Sequence, residues 1–130
     1  MLNFNNKVVL ITGGSRGIGA ACVRLFADAG ADVAFSYSAN EKAADELVKS
    51  ISTKGKIKAY QIKVESEESV ISSLKKIEED FGKIDILVNN AGIWKKGNID
   101  EMSIEEWEET IKINLTGTFL MTKYVSAIMK

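Results

Sequence analysis

Apolar residues fall into two kinds of stretch that alternate along the chain. Short aliphatic runs are separated by longer segments in which apolar positions return every three or four residues. The first run, Lys7 to Thr12 (KVVLIT), is β-branched and aliphatic, as expected of a parallel strand covered on both faces. Asp32 to Tyr37 (DVAFSY) predicts a second strand and Ile84 to Asn89 (IDILVN) a fourth. Between them, Lys56 to Val64 (KIKAYQIKV) has the mixed polarity and the lysines of a sheet edge.

Helical spacing fills the gaps. From about Gly17, Ile18, Cys22, Leu25, Phe26 and Ala29 form one apolar stripe, and Gly30 closes the helix in the C′ position. A second helix starts at Asn40, carries Ala44, Leu47, Val48 and Ile51, and closes near Gly55. Ser66 caps a third with an acidic first turn, an inner face of Val70, Ile71, Leu74 and Ile77, and a stop at Gly82. SIEE at Ser103 offers a capping box to Glu106, with Met102 and Trp107 as a hydrophobic staple. The helix it opens is expected to run to Lys130, roughly 42 Å at 1.5 Å per residue. This β-α alternation without a linker predicts one α/β domain over residues 1–130: four parallel strands with helices on both faces.

TGGSRGIG, Thr12 to Gly19, joins the first strand to the first helix. Glycines there allow close approach and positive φ angles, and the helix start offers N–H groups to an anion. The spacing, with glycines at Gly13, Gly17 and Gly19, differs from G-x-G-x-x-G. A ligand-free turn and a phosphate cradle are both compatible with the loop alone.

Composition narrows the possibilities. A net charge of −1 with scattered basic residues argues against nucleic acid or an anionic membrane as partner. The absence of histidine and the single cysteine, Cys22, argue against zinc or transition-metal chemistry and against a disulfide framework. That cysteine sits on the apolar side of the first helix and reads as core. MLNFNNKVVL lacks the features of a signal peptide, and Lys112 and Lys123 break the longest candidate span, so a cytoplasmic protein is expected.

Two further stretches complete a pattern: NNAG, Asn89 to Gly92, at the end of the fourth strand, and Asn114 within INLTG. With TGGSRGIG these resemble the classical short-chain dehydrogenase/reductase family, in its 3-oxoacyl-ACP-reductase-like branch. The resemblance covers essentially the whole chain and implies a truncated, doubly wound, Rossmann-like fold with its four strands in the order 3-2-1-4. It implies that Gly13, Gly14, Ser15, Arg16, Gly17, Ile18 and Gly19 hold the pyrophosphate of a nicotinamide dinucleotide, with Asn89 and Ala91 flanking the adenosine side and Gly92 also in the cofactor site. It further implies a small-molecule or acyl-thioester carbonyl substrate and association into a homo-oligomer, or through the exposed edge of the fourth strand.

The cofactor form can be argued from charge. Tyr37 and Ser38 stand at the end of the second strand, where a carboxylate would favour a ribose 2′-OH, and Arg16 adds a positive charge in the loop. NADP(H) is therefore expected over NAD(H). One departure concerns adenine: the family's Asp-Val after the third strand is here Lys63-Val64, and lysine cannot accept a hydrogen bond.

Asn114 shares a helix face with Trp107 and Ile111 that is expected to pack on the sheet, so its amide needs partners. A structural bond to local backbone is one reading. The resemblance implies another, a catalytic part in which Asn114 helps hold a water in a proton relay. The family's Tyr-x-x-x-Lys does not occur here, since Tyr124 is followed by Ile128. The chain thus resembles the N-terminal, cofactor-binding half of a reductase with the catalytic half absent, inactive alone. A nucleotide-binding module without catalysis and one half of a split enzyme are the alternatives.

Overall fold

The computed structural model describes residues 2–130 and contains four strands, β1 (Val8–Ile11), β2 (Asp32–Tyr37), β3 (Ile57–Gln61) and β4 (Ile86–Val88). They alternate with helices α1 (Gly17–Asp28), α2 (Glu41–Ser50), α3 (Glu67–Phe81) and α4 (Ile104–Ile111), and a last helix α5 (Gly117–Met129) completes the chain. The strands form one parallel sheet in the order β3-β2-β1-β4. The expected order and class therefore hold.

Period-two alternation in the central strands divides the core in two. Val9 and Ile11 of β1 point with Val33 and Phe35 of β2 toward α1 and α2, joining Val23, Ala27, Ala44 and Leu47. Leu10 and Ala34 point the other way, toward Val70, Leu74 and Ile77 of α3 and Leu120, Met121 and Val125 of α5. Every β1 residue is buried, whereas those of β4, paired on one side only, are all half-buried.

Local chemistry places the helix ends. Asn40 Oδ1 accepts from Ala43 N–H at 3.0 Å, and Ser66 Oγ accepts from Ser69 N–H at 3.3 Å. Ser103 and Glu106 form the reciprocal capping box, each bond 3.1 Å. Gly30 and Gly82 follow the ends of α1 and α3 with positive φ, as their sequence positions predict.

Three expectations are corrected. The buried stripe of α1 is Gly19, Val23 and Ala27, while Ile18 and Leu25 are 77% and 68% exposed and Cys22 is half-buried. Small residues face the sheet there because helix and glycine loop lie close against it. On α3, Ile71 is exposed and Ser73 takes the inward position, its hydroxyl donating to Gln61 O at 3.3 Å. The predicted continuous final helix is interrupted by a π-helical segment, Lys112–Thr116, between α4 and α5. Burial resumes only in α5, because β4 is an edge strand and α4 lies beyond the sheet, with Trp107 half exposed.

Asp85 fastens the start of β4 to β1: its carboxylate accepts from Val8 N–H at 2.8 Å, and its own N–H donates to Val8 O at 2.9 Å. The Val8 hydrogen bond, and then the Lys83 ammonium 3.0 Å away, hold the Asp85 carboxyl below the usual carboxylate range. A lowered folded-state pKa contributes stability above the unfolded value of about 3.9, and that contribution is lost as pH falls through the folded value. Asp85→Asn should therefore be less stable than the parent in urea unfolding at pH 7, with the gap closing below about pH 4.

Candidate functional site

The carboxyl ends of β1, β2 and β4 open onto one crevice, where an open parallel sheet places its ligands. Thr12, directly after β1, is buried, and its Oγ1 accepts from Asn90 N–H at 3.0 Å and Ala91 N–H at 2.9 Å. In return, Asn90 Nδ2 donates to Thr12 O at 3.1 Å and Gly13 O at 3.0 Å. The glycine loop is thus stitched to the NNAG segment. On its other side, Ser36 of β2 accepts from Gly13 N–H through Oγ at 3.2 Å and from Gly14 N–H through its carbonyl at 2.8 Å.

This stitching determines where glycine is required. A Cβ on Gly19 would lie 2.0 Å from Gly13 O and 2.6 Å from Asn90 Nδ2, so the first turn of α1 can sit here only without a side chain. Gly17 differs: its φ of +55° demands glycine, but a Cβ there would meet open space. That opening adjoins the start of α1, whose N-cap residue, Arg16, makes no side-chain cap and whose first turn carries no acid. By contrast α2, α3 and α4 are each closed by a side chain. The N–H groups of Gly17, Ile18 and Gly19 find no acceptor among the described residues, so the positive end of α1 is free to meet an anion.

Beside it lies a cavity of about 330 Å³. Gly13, Ser15 and Arg16 line it at the loop end, and Ser36 to Asn40 follow along the end of β2. Burial pushes the Tyr37 hydroxyl above its ordinary pKa, with Glu41 and Asp45 adding to the effect, so it is a neutral donor at pH 7. The far end is aliphatic, with Ile62 and Val64 facing Ala91, Ile93 and Ile113, and with Glu65 and Gly92 at its margin.

Of the residues singled out from sequence, Gly13, Ser15, Arg16, Tyr37, Ser38, Val64, Ala91 and Gly92 line this cavity. Gly14 packs against Phe35, while Gly17, Ile18 and Gly19 form the first turn of α1 beside it. Lys63 is exposed and does not line the cavity. Asn89 is also outside it, its amide donating to Thr122 Oγ1 of α5 at 3.0 Å.

Asn114 departs from its expected place. It is exposed within the π-helical segment rather than packed on the sheet. Its Oδ1 accepts from Ile93 N–H and its Nδ2 donates to Ile93 O, both at 2.8 Å, a two-point grip on one residue of the loop after β4. The widened π turn breaks the 3.6-residue register on which the sheet-facing expectation depends.

Thr12, Ser36 and Asn90 are site residues that the sequence does not single out. Thr12 and Asn90 stand inside the two quoted motifs, but their work is to bond backbone across the sheet, which no local spacing reveals. Thr12→Val keeps the shape and removes the acceptor from two N–H groups, so a loss of about 2–4 kcal/mol is expected in urea unfolding. Gly19→Ala should disrupt the loop more severely than Gly17→Ala, for which about 1 kcal/mol of backbone strain is expected.

Comparison with known proteins agrees with this architecture. The short chain dehydrogenase family model matches residues 7–130. An acetoacetyl-CoA reductase of Rhizobium meliloti is 45% identical over 118 residues, covering 90% of this chain and 47% of the relative. A 3-oxoacyl-(acyl-carrier-protein) reductase of Synechocystis is 40% identical over 124 residues, covering 95% and 50%. Among solved structures, a short chain dehydrogenase from Burkholderia cenocepacia in complex with NADP superposes with a TM-score of 0.93 at 32% identity, over 98% of this chain and 52% of that one. The chain spans about half the length of the curated relatives it matches. With the glycine loop, the NNAG segment and the strand order all in place, the chain belongs to the short-chain dehydrogenase family.

Proposed function

We propose that this chain binds NADP(H) and forms the cofactor-binding half of a carbonyl reductase acting on 3-oxoacyl thioesters or similar ketones. The observation that carries the reading is the uncapped start of α1, with its free N–H groups, opening beside a cavity that is polar at one end and aliphatic at the other. These residues fit an elongated anionic ligand with a flat apolar end. The relatives named as acetoacetyl-CoA and 3-oxoacyl reductases, and the solved complex with NADP, support the choice of ligand and substrate class.

In this reading the N–H groups of Gly17 to Gly19, with Ser15, hold the diphosphate. Tyr37, Ser38 and Asn40 border the ribose, and Arg16 supplies the charge for a 2′-phosphate; neither Tyr37 nor Ser38 is a carboxylate, and Glu41 and Asp45 near Tyr37 do not line the cavity. Ile62, Val64, Ala91 and Ile113 enclose the adenine. When bound, the reduced nicotinamide supplies a hydride to a carbonyl carbon. Asn114 acts as a positioning residue: through Ile93 it fixes the loop after β4 against the cavity.

No Tyr-x-x-x-Lys occurs in the 130 residues, and proton donation to the substrate oxygen is assigned to residues outside them. Tyr124 does not take that part, because its hydroxyl donates to Glu67 at 2.7 Å, on the α3 side of the fold. Titration calorimetry should give tighter binding of NADPH than of NADH. Arg16→Ala should weaken NADPH about tenfold, the lower end for a charge-assisted hydrogen bond, and leave NADH nearly unchanged. Tighter binding of NADH would contradict the NADP(H) assignment. Mixed with an acetoacetyl thioester, the chain alone should leave NADPH unoxidised.

A further inference from the structure

The aliphatic end of the cavity carries one group that the diphosphate and ribose do not engage. Glu65 is the one carboxylate lining the pocket among the described residues. It is half-buried, directly after Val64 and directly before the Ser66 cap of α3. The ion pairs of the chain use Asp80, Asp85, Glu109 and Glu67, and Glu65 enters no ion pair or side-chain hydrogen bond among the described residues. Neighbouring Lys63 is exposed and does not line the cavity, and its backbone N–H donates to Ser69 Oγ at 2.9 Å.

Ile62 and Val64 on one side, and Ala91 and Ile113 on the other, make walls that suit any planar base. Apolar walls hold a ring but do not distinguish its edge substituents; that requires a polar group at the margin. A carboxylate at neutral pH only accepts. It rewards a base that presents an N–H₂ group, and it opposes one that presents a carbonyl oxygen at the same place, where two acceptors would meet with no proton between them.

We propose that Glu65 is the specificity-determining residue for adenine in this pocket, its carboxylate accepting a hydrogen bond from the 6-amino group. It thereby takes the acceptor part that Lys63 cannot play. The inference rests on the dinucleotide reading above and adds to it the residue that reads the base.

The test titrates the folded chain with NADPH and with its purine analogue, in which a hydrogen atom replaces the 6-amino group, following protein fluorescence or heat. NADPH should bind about tenfold more tightly, as expected for a partly exposed hydrogen bond to a charged acceptor. Glu65→Ala should bring the ratio of the two dissociation constants near one, through weaker NADPH binding. Glu65→Gln, whose amide oxygen still accepts but carries no charge, should also lower the ratio, though less than Glu65→Ala. Lys63→Ala should leave the ratio unchanged, and circular dichroism confirms that each variant is folded. Equal affinities in the parent, a parental ratio in both folded Glu65 variants, or a ratio abolished by Lys63→Ala would overturn the assignment. Failure of the parent to bind either dinucleotide would overturn the cofactor reading together with it. Binding of NADPH that does not depend on Glu65 would remove only this inference.

Discussion

The crossing of hydrogen bonds between Thr12 and Asn90 is the constraint on which the rest of the site depends. A buried hydroxyl receives two backbone N–H groups from one strand end, and an amide from that same strand end reaches back to two carbonyls of the other. If the strand ends parted, each of these bonds would be exchanged for one to water, a net loss of about 0.5–1.5 kcal/mol apiece. The stitch therefore holds two loops with little intrinsic structure at a fixed separation. It also explains why Gly19 must lack a side chain, since Asn90 Nδ2 and Gly13 O occupy the space a Cβ would need.

With the loop fixed, the start of α1 becomes chemically distinct. Asn40, Ser66 and Ser103 each close a helix with their own side chains, whereas the start of α1 faces the crevice with its N–H groups open. An unfilled cap is a stability deficit of about 1 kcal/mol, and a bound anion would remove it. The cavity extends this anionic end toward an aliphatic one, so a single crevice joins the two chemistries that a dinucleotide combines. The grip of Asn114 on Ile93 does comparable work at the far side, setting the loop that forms one wall.

Much of this was legible in sequence because it is local. Strand runs, cap residues and terminal glycines report on their own neighbourhood, and the strand order followed from the family pattern. Less legible was anything determined by packing across the sheet. Ile18 and Leu25 fit a helical stripe, yet the helix turns Gly19, Val23 and Ala27 inward because only small residues permit its close approach. Asn114 fits a straight helix, yet the π-helical turn rotates it to a backbone partner twenty-one residues away. Ser36 reads as an ordinary strand residue, and its role depends on which loop lies beside β2.

The central claim is that the amides at the β1–α1 junction, held in place by the Thr12–Asn90 stitch, receive the diphosphate of a nicotinamide dinucleotide. Backbone amide resonances recorded during an NADPH titration test it most directly. Saturable shifts at Ser15 to Gly19, together with Val64 and Ala91, are the predicted result. Shifts confined to the apolar groove formed by Phe4, Leu25 and Phe26 on the outer side of α1, or no shifts in a folded chain at saturating NADPH, would contradict it.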